Sequence, residues 1–262
     1  MDGSIYNIVF PFRLDYEDYY WKKFAAKESD GEPIASITCE APSPDIYAVE
    51  KLPVYKGGSV FRTSESLLFM SRDFTEGRII GDTADRSGVY GCAMIALYGN
   101  LIRRDTLVMH GSMIEFNGRA VVFTGPSGIG KTTQAQLWQE HRSADIVNGD
   151  MTFIHKDSDG NFYAYGSPWH GSSEYCLNRK LPLAAIISLS QSDECKISKI
   201  SGLEMLKNIL PQVMLPDWFD GCKCLGIGTL DSLLNAVPVY QLECTKDIRA
   251  VETAEKELGK LL

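Results

Sequence analysis

Gly125-Pro126-Ser127-Gly128-Ile129-Gly130-Lys131-Thr132 is the stretch on which the reading of this chain turns. Glycine, four residues, Gly-Lys and then a hydroxyl residue is the P-loop pattern. Before it, Ala120-Val121-Val122-Phe123-Thr124 is a short apolar, β-branched run that predicts a buried strand. After it, residues 133–140 contain no Gly or Pro and predict a helix. Strand, glycine loop and helix form the context the pattern requires.

The chemistry follows from the residue types. Glycines let the backbone curl into a concave nest whose successive N–H groups meet one anion. The positive end of the following helix faces the same place. The Lys131 ammonium reaches outer phosphates, and the Thr132 hydroxyl is placed to ligate magnesium. The phosphate cradle is therefore Gly125, Pro126, Ser127, Gly128, Ile129, Gly130, Lys131, Thr132 and Thr133. A turn that binds nothing is the plain alternative, and the correct residues on both flanks argue against it.

Working outward, residues 107–116 predict a strand, and Asn117-Gly118 is a strong two-residue hairpin turn. His110 and Ser112 then lie on a strand antiparallel to the one that feeds the loop. Downstream, residues 144–150 predict a strand ending in Asp150, where a P-loop enzyme needs a magnesium partner or a base. Residues 166–173 form a loop rich in Gly, Ser and Pro that carries His170. Its sequence serves equally a surface loop and one that faces phosphates. Arg179 is a candidate transition-state cation, with Lys180 as its competitor and a solvated charge as the plain reading. His141 and His155 have no supporting context.

The stretch from His110 to about Ser190 resembles the catalytic domain of the HPr kinase/phosphorylase family, a fold related to ATP-dependent phosphoenolpyruvate carboxykinase. The matching pieces are His110-Gly111, the Asn117-Gly118 hairpin, the loop 125–132 and the strand ending in Asp150. The resemblance implies an α/β fold built on a mixed nucleotide-binding sheet, and a kinase that uses ATP and Mg2+ to phosphorylate a hydroxyl. Carried over by residue, Lys131 binds phosphates and Thr132 binds the metal. Asp150 accepts the hydroxyl proton or contacts magnesium, and His110 sits beside it and tunes it. The family has two adjacent acids where this chain has Asn148-Gly149-Asp150, so only forward transfer is carried over.

Composition narrows the partners. The chain has 262 residues, a formal net charge of −8 and no basic run, which argues against general binding to nucleic acid or membrane surfaces. Seven cysteines without paired spacing read as free thiols. No signal peptide is expected, and no apolar run approaches the about 20 residues that span a bilayer. A soluble cytoplasmic protein is the expectation, with self-association as a homo-oligomer left open. The expected partners are a nucleotide and a hydroxyl acceptor, whether peptide, protein or small molecule.

Residues 1–105 have a different texture. Short apolar runs near 6–10, 35–40, 60–62, 66–70 and 78–80, separated by Gly and Pro turns, predict a β-rich region. Pro11 is expected to close the first strand. Residues 89–102 are apolar almost all round and predict a buried helix, expected beneath the nucleotide-binding sheet. Residues 106–262 form the expected catalytic domain. Helical spacing is read at 202–215 with a break at Pro211, at 228–236 and at 247–262, and strands at 183–189, 197–200 and 237–244.

Overall fold

The computed structural model describes residues 3–41, 58–259 and 261. The sequence also reads as a proline-containing loop at 41–45, a short run at 49–54 interrupted by a proline and a Gly-Gly turn at 57–58; apart from Ala41 and Gly58 these lie outside the described residues. Contacts divide the chain into two units, Met1–Arg104 with Asp217–Cys222, and Asp105–Pro216 with Lys223–Leu262.

The first unit is a six-stranded sheet. Its strands are β1 (Ser4–Asn7), β2 (Pro11–Leu14), β3 (Ser36–Glu40), β4 (Ser59–Thr63), β5 (Ser66–Met70) and β6 (Glu76–Ile80), in the order β1-β2-β3-β6-β5-β4. Pro11 opens β2 rather than closing β1, since proline is tolerated as the first residue of a strand. Helix α1 (Arg86–Leu101) is capped by Asp85, whose carboxylate accepts from the Gly88 N–H. It packs on β4, β5 and β6, not beneath the loop-bearing sheet as expected. Its glycines explain the choice. A Cβ on Gly99 would stand 2.1 Å from the Phe74 ring, and one on Gly91 2.9 Å from Thr63. The late segment Asp217–Cys222 joins this unit through rings, with Trp218 edge-on to Phe61 and Tyr98 and the Arg103 guanidinium 3.6 Å over Phe219.

The second unit is built on β7 (Thr106–Phe116), β8 (Arg119–Thr124), β9 (Asp145–Asn148), β10 (Met151–Lys156), β11 (Phe162–Tyr165), β12 (Lys180–Gln191), β13 (Lys196–Lys199) and β14 (Val239–Cys244). β7 and β8 are antiparallel, joined through Asn117 and Gly118 at φ 50° and 75°. Positive φ at both positions is what a turn matched to strand twist requires. β8, β12 and β14 run parallel. The long β7 pairs first with β10 and then with β9 along one edge. β11 joins β10 to the start of β12, so β7, β10, β11, β12 and β8 close into a ring.

Strand periodicity sorts the side chains of that ring. Leu107, Met109, Met113, Ala120, Val122, Ile154, Ala164 and Leu181 share one core with Leu230 and Leu233 of α4 (Cys222–Ala236). Ile114, Val121, Phe123 and Ile187 face the other way. They pack under Ala135 and Trp138 of α2 (Lys131–Arg142) and Val251 and Ala254 of α5 (Ile248–Leu258). Helix α3 (Gly202–Ile209) ends where Pro211 enters a 3-10 turn, as its sequence predicts. Asp247 caps α5 by accepting from the Arg249 N–H at 3.0 Å.

All seven cysteines are free. Burial pushes the Cys39 thiol up to about 12 and the Cys244 thiol up to about 11, which makes both poor nucleophiles. No helix among the described residues is long and apolar enough to cross a membrane.

Candidate active site

The stretch 125–130 connects the end of β8 to the first turn of α2. Gly125, Gly128 and Gly130 have φ of 138°, 76° and 113°, backbone that side-chain-bearing residues rarely adopt. At Gly128 and Gly130 a Cβ would meet nothing, so conformation and not space demands glycine there. The first internal bond of α2 runs from the Gln134 N–H to the Gly130 carbonyl at 2.9 Å. The amides of Lys131, Thr132 and Thr133 therefore have no acceptor within the helix, the arrangement that suits an anion.

Lys131 is only 8% exposed, and its Nζ donates to the carbonyls of Gly125 at 3.0 Å and Pro126 at 3.2 Å. Burial lowers its pKa below the ordinary lysine value, and the charge of Asp150 opposes that shift. A dianionic group beside the amine would relieve the same penalty.

Opposite the loop stands Asp150, two residues past the end of β9. His110 Nε2 lies 3.1 Å from its Oδ1, a distance at which an Nε2–H donates to the carboxylate. The backbones are tied as well. Gly111 N–H donates to the Asp150 carbonyl at 2.8 Å, and the Thr124 hydroxyl to the His110 carbonyl at 2.7 Å. Alternation along β7 puts Ser112 on the same face as His110. Its Oγ donates to the Gly149 carbonyl at 3.1 Å and stands 3.4 Å from the Thr132 hydroxyl.

Asn148 was not singled out in the sequence, and it organises this corner. It is fully buried. Its Oδ1 accepts from the N–H groups of Asp150 and Met151, each at 2.8 Å. Its Nδ2 donates to the Ser167 carbonyl at 2.9 Å and reaches the Trp169 carbonyl at 3.3 Å. The amide thus clamps the turn that carries Asp150 to the loop 166–173. Two glycines let that loop approach. A Cβ on Gly171, at φ 63°, would lie 2.9 Å from Asp150 Cγ, and one on Gly149 1.9 Å from Ser173 Oγ. His170 is fixed by its Nδ1 contact with the Ser173 carbonyl and by the Ser173 hydroxyl, which donates back to the His170 carbonyl at 2.8 Å.

Together these groups line a cavity of about 290 Å³. Its walls include Ser127, Gly128, Gly130, Lys131, Thr132 and Thr133 from the loop and helix, His110 and Asp150 opposite, and His170, Ser172 and Ser173 from the covering loop. The remaining cradle residues act from behind it. Gly125 and Pro126 accept from Lys131, and Ile129 packs against the α2 core.

Arg179 is placed elsewhere. It forms ion pairs with Glu115 and with Asp145, the latter at 2.9 Å. Glu115 is five residues along β7 from His110, about 17 Å at the rise of a strand, and alternation puts it on the other face. Lys180 lies over the Tyr163 ring at 4.4 Å. Neither lines the cavity.

Among the described residues, no group of three or more His, Cys, Asp or Glu could hold a metal ion. What the corner offers is hard oxygen: the Thr132 and Ser112 hydroxyls, the Gly149 carbonyl and the Asp150 carboxylate. That donor set fits magnesium, which is held by one or two protein oxygens together with waters and substrate phosphates.

No curated protein matches the chain. Among solved structures, the HPr(Ser) kinase/phosphatase from Coxiella burnetii aligns with 59% of this chain and 96% of its own, at 11% identity and a TM-score of 0.35, a likeness too slight to carry an argument. Over residues 89–208, less than half its length, the chain is similar to the family described as SynChlorMet cassette protein ScmC.

Proposed function

We propose that this protein is a kinase that moves the γ-phosphoryl group of a magnesium-bound nucleotide, with ATP the expected donor, to an acceptor hydroxyl. One observation carries the reading: the Asp150 carboxylate, contacted by His110 at 3.1 Å, faces the same cavity as Lys131 and the glycine loop. A base and a phosphate cradle on facing walls are what phosphoryl transfer needs, since the chemistry is mainly positioning and charge stabilisation. The motif-level resemblance to HPr kinases points the same way.

Magnesium, held by Thr132 and Asp150 with phosphate oxygens, would neutralise charge on the donor. The amides at the start of α2 bind phosphate oxygens, and Lys131 exchanges its two loop carbonyls for them. Asp150 orients the acceptor hydroxyl and takes its proton as the new bond forms. His110 holds the carboxylate so that one oxygen faces the acceptor. The loop 166–173 covers the site and excludes water that would otherwise compete.

The test is label transfer from γ-labelled ATP with magnesium, run on wild-type, Lys131→Ala and Asp150→Asn proteins. Transfer to an acceptor by wild type alone is the expected result. A Lys131→Ala protein that still transfers phosphate refutes the proposal. Label released only as free phosphate would make the protein a hydrolase, and tight nucleotide binding without turnover would make it a regulatory module.

A further inference from the structure

A second cavity, of about 300 Å³, shares only His110 and Asp150 with the one described above. Its other walls are Val108, Met151, Pro211, Gln212, Val213 and Met214. It exists because β8 stops short. Thr124, the last residue of β8, pairs with Gly111, so the edge of β7 before that point is left for another segment. The chain leaving α3 takes it. Pro211 ends the helical path, and Val213 is extended at φ −103° and ψ 130°. Met109 and Val213 form an antiparallel bridge, and the Met214 N–H donates to the Val108 carbonyl at 2.9 Å.

The register fixes which side chains line the space. Met151 is the cross-strand partner of His110, and Val108 is two residues before it, so all three share a face. The cavity is apolar on Val108, Met151, Pro211 and Met214, with the Gln212 amide as its one polar side-chain wall beyond the shared pair, while Val213, bridged to Met109, packs in the core behind it. The carboxylate proposed as base therefore stands at the junction of a phosphate-lined space and an apolar one.

We infer that the second cavity is the acceptor subsite, and that the acceptor carries an uncharged apolar group next to the hydroxyl that is phosphorylated. This rests on the kinase reading above. The acceptor oxygen forms its bond to the γ-phosphorus as the bond from that phosphorus to the β–γ bridging oxygen breaks. The electron pair leaves on the nucleoside diphosphate, and the hydroxyl proton goes to Asp150. The apolar neighbour lies between Val108, Met151 and Met214. A charged neighbour would give up part of its water there with only the Gln212 amide to replace it, while one methylene in such a pocket is worth about 10–200-fold in specificity. A serine or threonine in a peptide with an aliphatic neighbour has this chemistry, and so does a small branched alcohol.

The experiment measures kcat/KM from γ-labelled ATP and magnesium with short capped serine peptides flanked by Leu or by Glu, and with N-acetylleucinol. Wild type, Met214→Lys and Gln212→Lys are compared, the second variant guarding against a fold defect in the first. Wild type is expected to favour the Leu-flanked peptide over the Glu-flanked one by about tenfold or more, and each lysine variant to cut that ratio about tenfold by raising use of the Glu-flanked peptide. Label in the peptide alone or in the alcohol alone identifies the source of the acceptor, and either supports the subsite. Equal use of both peptides by wild type, or ratios within about twofold of wild type in both variants, overturns it. Label in no probe also overturns it, and if wild type then fails to bind Mg-ATP as well, the kinase reading falls too.

Discussion

Replacing Asn148 by Ala is the sharpest test of how Asp150 is held. The side chain is fully buried and makes three short hydrogen bonds, two accepted at 2.8 Å and one donated at 2.9 Å, beside two longer ones at 3.3 Å. At a net worth of about 1 kcal/mol each, the short bonds amount to about 3 kcal/mol. For a domain of 150–250 residues that lowers Tm by about 6–12 °C. Calorimetry should show the loss in the transition of the second unit. Nucleotide-dependent turnover should fall further than stability explains, because the amides of Asp150 and Met151 lose their shared acceptor and the carboxylate loses its place. Asn148→Asp refines the test. It keeps the two accepted bonds but sets an oxygen against the Ser167 and Trp169 carbonyls. A carboxylate there has its pKa raised, so its destabilisation is absent at low pH and grows as pH rises above the unfolded value of about 3.9. A Tm drop under about 2 °C for Asn148→Ala, or an Asp variant equally stable at pH 4 and pH 8, would refute the clamp.

Mg-ATP at 100 times its Kd should stabilise wild type by about 2.7 kcal/mol, about 5–11 °C in Tm, and Lys131→Ala should abolish that shift in a thermal scan. Because burial lowers the Lys131 pKa while bound phosphate would raise it, affinity is greatest with the amine protonated. Calorimetric titrations should show binding weaken as pH rises through that depressed value, and constant affinity from pH 7 to 10.5 would contradict the assignment. Gly171→Ala meets both a left-handed φ of 63° and the Asp150 carboxyl at 2.9 Å, so it should cost about 1–2 kcal/mol and lower kcat more than it raises KM for nucleotide. Arg179→Met removes a partly exposed ion-pair set worth less than about 1 kcal/mol, so urea midpoints should move little and kcat should change less than about threefold.

The elements around the glycine loop were legible because each obeys a local rule. Asn117-Gly118 dictates its hairpin through two positive φ values, and the glycines at 125, 128 and 130 sit where the backbone needs them. The His110–Asp150 contact was expected only through the family resemblance, and the register that delivers it, Met151 opposite His110, is a long-range pairing no local pattern contains. Helix α1 shows the limit most clearly. Its all-round apolarity signalled burial, but its partner was set by how closely Gly91 and Gly99 approach Thr63 and Phe74, which needs both surfaces. Asn148 stood out only as a departure from the family's paired acids within a predicted strand, because its worth lies in the Ser167 and Trp169 carbonyls, 19 and 21 residues away. Arg179 looked like a free cation because its acidic partners, Glu115 and Asp145, belong to other strands.

The five-strand ring formed by β7, β10, β11, β12 and β8 has a mechanical consequence. A hoop has no free end from which to unzip, and a slip of one strand must be accommodated by every other. Asp150 and His110 are therefore held at the stiff part of the molecule, and compliance falls to the stretch 125–130 and to the exposed tip 171–172, beyond the Asn148 clamp. Amide exchange should divide along that line, slow around the hoop and fast in those two stretches, so that the His110–Asp150 pair stays fixed while they open and close.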